Sequence, residues 1–155
     1  MRSILLFSVF FATMLLGASA QSPAPLMDCA FGALDAKIAA CTKLIEARQL
    51  DAARMAMAHN NRGRWYVEKN DPAKAMVDFT RAVELDPTLA QAYYERGLLH
   101  AKAGRNEQAI ADYRKALEYN PGDGAARAGL HALGASSPVP NVDYGTGDDP
   151  LGQIH

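Results

Sequence analysis

The sequence predicts an all-α solenoid in which antiparallel helix pairs stack in a row, about six helices with no strands. Two observations carry this expectation. Residues 56–89 and 90–123 superimpose without a gap at a 34-residue step, and a fixed period of that length marks a stacked-repeat architecture. Helix stop and start signals recur at the same step. Composition agrees, since 155 residues that are 49% hydrophobic and 21% charged are neither collagen-like nor a highly charged disordered chain. A net charge of −1 and a pI near 6.4 argue against a general nucleic-acid binder, which needs clustered Lys and Arg to displace counterions from phosphates.

The first 20 residues stand apart from the fold. Arg2 is the only charge before Asp28, an apolar run extends from Ile4 to Leu16, and Gly17-Ala18-Ser19-Ala20 follows. A basic start, a short apolar run and a small-residue site form the pattern of a cleaved secretory signal. The run falls short of the roughly 20 apolar residues that a spanning helix needs. Cleavage between Ala20 and Gln21 is therefore expected, with no membrane span in the mature chain. The product is an exported protein, periplasmic in a Gram-negative source and secreted otherwise. Residues 21–33 form an N-terminal segment. Residues 34–48 read as the second helix of a degenerate half-repeat: set over the stretch that begins at Pro72, Ile38 falls on Met76 and Ile45 on Val83. That alignment puts about four inserted residues in the connection near Arg48–Asp51.

The two full repeats share Ala56/Ala90, Ala58/Ala92, Arg62/Arg96, Gly63/Gly97, Ala75/Ala109, Asp78/Asp112, Ala82/Ala116 and Pro87/Pro121. Phe79 and Tyr113 keep the same character. Small residues recur where helices must approach closely, and aromatics recur where a gap must be filled. Helices are expected over 52–69, 72–85, 89–103 and 106–119. Asn70 and Gly104 are the residue types that best tolerate a left-handed helix stop. Asp71 followed by Pro72 is an N-cap with Pro in the first helical place. Thr88 to Gln91 reads as a capping box with Thr88 at the cap. Pro87 and Pro121 close the second helices. A short helix over 123–134 follows, with Ala126, Leu130 and Leu133 on its inner face and Gly134 near its stop, and it caps the open end of the stack. Residues 135–155 are rich in Pro, Gly, Asp and Ser, lack periodicity, and are expected to be disordered.

These positions resemble the tetratricopeptide repeat (TPR) family. Tyr93, Gly97, Ala109, Tyr113, Ala116 and Pro121 match its pattern in the second unit, and Gly63, Tyr66, Ala75, Phe79, Ala82 and Pro87 match it in the first. The departures are His59 and His100 where the family has aromatics, and Arg62 and Arg96 where it has Leu. The resemblance makes 34–134 a TPR-like domain: a half-repeat 34–48, repeats 56–89 and 90–123, and a capping helix 123–134. It implies a concave face, lined by the first helices of successive repeats, that holds an extended peptide or a helix of a partner. Carried over residue by residue, that face is Met57, Asn60, Arg64, Val67 and Glu68, then Gln91, Tyr94, Leu98, Ala101 and Lys102. Asn60 is expected to hold a peptide amide, Tyr94 and Leu98 to bury an apolar anchor, and Arg64 and Lys102 to pair with carboxylates. The family's carboxylate clamp is not matched, because the corresponding positions hold Asn60, Arg64 and Glu95.

Cys29 and Cys41 are the only cysteines. An even count in an exported chain predicts a disulfide that pins the 28–33 segment against the first helix. The alternative is a buried free thiol at Cys41, where the other units carry an aromatic. No further constellation carries chemistry. His59, His100, His131 and His155 lack the spacing of metal ligands, and there is no nucleophile elbow, phosphate loop or Cys-x-x-Cys. Asp78, Glu84, Asp112 and Glu118 read as solvated faces and helix-pairing polar contacts. The expectation is a non-enzymatic protein–protein interaction module of the cell envelope, with a protein or peptide partner, no nucleic acid, and no cofactor or metal. A structural or self-associating subunit with an idle groove, a homodimer included, is the alternative, and an accessory hydrolase is the third reading.

Overall fold

The computed structural model describes residues 29–138. The expected signal over 1–20, its Ala20–Gln21 cleavage point, residues 21–28 and the tail 139–155 lie outside the described residues. Among the described residues six helices form and no strand occurs. They are α1 (Leu34–Ala47), α2 (Ala52–Glu68), α3 (Pro72–Leu85), α4 (Ala90–Lys102), α5 (Asn106–Tyr119) and α6 (Gly124–Ala132). Short links make successive helices antiparallel neighbours, and packing is closest within the pairs α2/α3 and α4/α5.

One turn geometry ends α2, α4 and α6. Asn70, Gly104 and Gly134 take φ of 59°, 72° and 70°. The N–H of the following residue then donates back to the carbonyl of Tyr66, His100 and Leu130 respectively. This left-handed stop satisfies carbonyls that the helix leaves open, and Gly and Asn adopt it at least steric cost. Asp71 then caps α3 by accepting from the Lys74 N–H, with Pro72 directly after it. Asp51 and Asp123 cap α2 and α6 in the same way.

Two local expectations are corrected. Thr88 does not cap α4: its N–H and hydroxyl both donate to Asp86 Oδ1, at 2.9 and 2.7 Å. Leu89 stands at the cap without a side-chain bond. The Asp86 carboxylate draws Thr88 into a local turn, and that turn competes with the capping box. The four extra residues also do not lengthen the α1–α2 connection. The links 48–51 and 86–89 are equally long, and the insertion is an added first turn of α2, which has 17 residues against 13 in α4. About 3.6 residues make one helical turn, so four residues extend α2 while leaving its inner face in register.

Glycine sets how closely the helices approach. A Cβ on Gly63 would lie 2.7 Å from the Phe79 ring, and one on Gly97 would lie 2.9 Å from that of Tyr113. The two repeats thus use the same glycine-to-aromatic contact. Gly129 of α6 meets the opposite edge of Tyr113 at 2.7 Å by the same measure, so Tyr113 is clasped between α4 and α6. Leu133 and Ala135 pack onto this core. Ala135, expected to open the tail, instead finishes the cap.

The other end is closed covalently. Cys29 and Cys41 form a disulfide, and both residues are fully buried. The Cys29 carbonyl accepts a 2.9 Å hydrogen bond from Trp65 Nε1, which ties the turn to α2 as well as to α1. Lys37 Nζ sits 3.5 Å from the centre of the Trp65 ring. In the chain-entropy account, opening a loop of this size costs about 3 kcal/mol. Reduction is expected to lower the thermal midpoint and to shift the emission of Trp65, the chain's single tryptophan, to longer wavelength. If neither quantity moved, the clasp would contribute nothing to the fold.

Candidate functional site

The first helices of the two repeats, α2 and α4, lie beside one another, and they carry all ten residues expected on the concave face. Arg64 Nε reaches Glu95 Oε1 at 3.4 Å, and Gln91 Nε2 donates to the same oxygen at 2.9 Å. Arg64 and Gln91 are therefore joined through Glu95. Met57 is 44% exposed, and Glu68 and Lys102 also face solvent. Glu68 lies 3.6 Å from Lys37. Val67 packs on the cluster of Ala75, Phe79 and Leu99, while Tyr94, Leu98 and Ala101 pack on the core around Tyr113. The Tyr94 ring centre is 6.0 Å from that of Tyr113. These four apolar side chains are half-buried, so each offers only an edge to a ligand. Asn60 departs from its expected role. It is 6% exposed, and its Oδ1 is shielded from solvent without a protein partner.

The strongest electrostatics lie behind this face, within each helix pair. Arg62 donates through Nε and Nη2 to the two Asp78 oxygens, both at 2.8 Å. Arg96 does the same to Asp112 at 2.8 and 2.7 Å. Such a two-pronged pairing matches the guanidinium fork to a carboxylate. Asp78 is 1% exposed and Asp112 is buried, so neither belongs to a solvated face, whereas the helix-pairing part of that expectation holds. Glu84 and Glu118 are the exposed pair, each bonded three residues back to Arg81 and Lys115.

Around Asp78 the network extends further. His59 Nδ1 lies 2.8 Å from Asp78 Oδ1, and Arg62 Nη1 donates to Thr42 of α1 at 3.1 Å. Burial pushes the Asp78 carboxyl up, but the bonds and charges of Arg62 and His59 outweigh this and hold it below the ordinary carboxylate range. His100 takes a different partner, Arg105 Nε, at 2.9 Å, and burial lowers its pKa. Both histidines therefore act as hydrogen-bonding groups and not only as packing substitutes. The family pattern does not foretell the Arg–Asp pairs, because each arginine stands in it only as a departure from Leu. Their signal was the aspartate that follows 16 residues later in both repeats.

Among the described residues no three His, Cys, Asp or Glu side chains converge as metal ligands, and no helix is long and apolar enough to cross a membrane.

Comparison with known proteins bears on the repeats. Residues 90–123 match the family model described as Tetratricopeptide repeat, and residues 63–104 match one described as TPR repeat. The mitochondrial import receptor subunit TOM70 of Homo sapiens is 29% identical over 86 residues, which are 56% of this chain and 14% of that protein. The Protein SGT1 homolog of Bos taurus is 36% identical over 58 residues, 37% of this chain and 17% of its own length. The chain thus spans only a small part of these relatives. Among solved structures, the Arabidopsis OM64 TPR domain superimposes with a TM-score of 0.59 at 26% identity, covering 64% of this chain and 79% of that one. The first TPR of Spaghetti (RPAP3), bound to an HSP90 peptide, gives 0.59 at 27% identity, with 65% and 77% covered. The stretch from Gly63 to Asp123 is therefore built of tetratricopeptide repeats, set in an all-α solenoid of that type.

Proposed function

We propose that this chain is a non-enzymatic binding module of the cell envelope, holding a peptide or helix of a partner protein along the face of α2 and α4. The observation that carries the reading is the shared fold with a TPR domain that holds a peptide. Met57, Arg64, Gln91 and Lys102 remain open on the corresponding helices. Glu95 places a negative charge within the face, where it already receives Arg64 and Gln91. A segment bound through internal residues suits that charge better than a free terminal carboxylate. Export to the envelope rests on the residue pattern of 1–20.

Photo-crosslinking in intact cells tests the reading. Crosslinkers at Met57, Arg64, Gln91 and Lys102 are expected to capture one common partner, and a crosslinker at Val77, on α3, to miss it. Capture from Val77 alone would reject the groove. A second reading, self-association, is favoured by Phe31 and Val77, which are each 68% exposed and lie off the α2–α4 face. Adducts between two copies of the chain at these two positions, with none in the groove, would establish it.

A further inference from the structure

The two repeats superimpose residue by residue, so a place where one is filled and the other is open is informative. Behind α4, Tyr93 stacks on Tyr119 with ring centres 6.1 Å apart. Arg96 and Lys115 lie over these rings at 5.6 and 5.7 Å, and that corner of the second repeat is occupied. One step earlier the same two positions hold His59 and Leu85, both smaller than tyrosine. A cavity of about 440 Å³ opens there between α1, α2 and α3. The added first turn of α2 builds part of its wall, because Ala52 and Met55 line it and have no counterpart in the shorter α4.

The lining divides by chemistry. Ile45, Leu50, Met55 and Leu85 supply an apolar floor, while Arg48, Arg81 and His59 supply the polar groups. His59 is held at the back by Asp78, and Arg81 Nη1 is engaged with Glu84 at the solvent edge. Arg48 differs: no acid among the described residues pairs with it. Its backbone sits in the left-handed region at φ 51°, a conformation that disfavours residues with a side chain. Apolar side chains on the floor beside an unpaired guanidinium at the rim are the lining expected for an amphiphilic anion, since the apolar residues take its hydrocarbon and a well-placed polar group orients it.

We propose that this cavity binds a small amphiphilic monocarboxylate, its hydrocarbon chain on Ile45, Leu50, Met55 and Leu85 and its carboxylate at Arg48. The site is independent of the α2–α4 face, and its failure would leave the groove reading untouched.

Methyl-detected NMR titration of the full chain with octanoate tests it, with 1-octanol as the uncharged match. Octanoate is expected to move the Ile45, Met55 and Leu85 methyl signals saturably and to bind about tenfold tighter than 1-octanol, the order expected for one charge-assisted hydrogen bond. Arg48→Ala should bring octanoate down to the 1-octanol level. The double variant His59→Tyr, Leu85→Tyr, which copies the second repeat's stack into the first, should abolish the saturable shifts while helical circular dichroism persists. Equal affinity for the two probes would overturn the proposal. So would undiminished binding in the tyrosine variant, or shifts centred on Tyr94 and Leu98. Should the tyrosine variant fail to fold, the 1-octanol comparison and Arg48→Ala still decide the matter.

Discussion

Replacing Asp78 with alanine is expected to destabilise the fold by about 3–5 kcal/mol, the usual penalty for leaving a buried charge without its partner. The substitution strands the Arg62 guanidinium, two of whose nitrogens bond Asp78, and removes the acceptor of His59. The loss comes from leaving partners unpaired, so it does not measure the worth of the pair. Changing Arg62 and Asp78 together to leucine should therefore recover most of it. Urea unfolding of the three proteins reads the comparison directly. If Asp78→Ala lost no more than a surface ion pair does, about 1 kcal/mol, the network would not hold α2 to α3.

Acid should expose the same group. The Asp78 carboxyl titrates below its ordinary value in the folded protein, so the folded state takes up this proton less readily than the unfolded chain. Its contribution is then complete above the unfolded value of about 4, and it is lost as the pH falls through the lower folded value. The stability gap between the protein and Asp78→Asn should narrow from about pH 4 downward. A gap that widened in acid would contradict the assignment.

Tyr113→Ala is expected to have an effect of similar size, about 3–5 kcal/mol. Tyr113 is almost fully buried, and its neighbours on two sides are Gly97 and Gly129, which have no side chains to relax into the vacated space. A cavity that cannot collapse keeps its full penalty. Tyr113→Phe should lose less than about 1.5 kcal/mol, since Phe79 fills the equivalent place in the first repeat. Phe79→Ala should be milder than Tyr113→Ala, because Phe79 meets a glycine only at Gly63. A larger loss at Phe79 would show that α6 does not clasp the second repeat.

The features that could be read in advance are local or are spaced by one repeat. Asn70 and Gly104 stop their helices because of what their own backbones tolerate, and neither needs a distant residue to do so. Gly63 with Phe79 and Gly97 with Tyr113 were legible because both members of each contact recur at the same step. The proposed binding face was legible only as positions. Its ten residues do fall on α2 and α4, but the depth of Asn60 and the half-burial of Tyr94 and Leu98 depend on how neighbouring helices cover them. The capping box fails at Thr88 because that pattern considers only its own four residues, whereas Asp86, two residues earlier, offers the stronger acceptor.

By itself, then, the sequence determined the helical period, the pairing of helices, the left-handed stops and the glycine-to-aromatic contacts, since each follows from backbone preference or from a motif repeated in register. Tertiary structure decided which charges are buried, where the four added residues went, and that the first repeat keeps an open cavity where the second is filled. Those outcomes depend on what separate helices place opposite one another. A side chain's burial is a property of its surroundings in space, and an arginine that looks misplaced along the chain becomes half of a buried pair once α3 or α5 is folded against it.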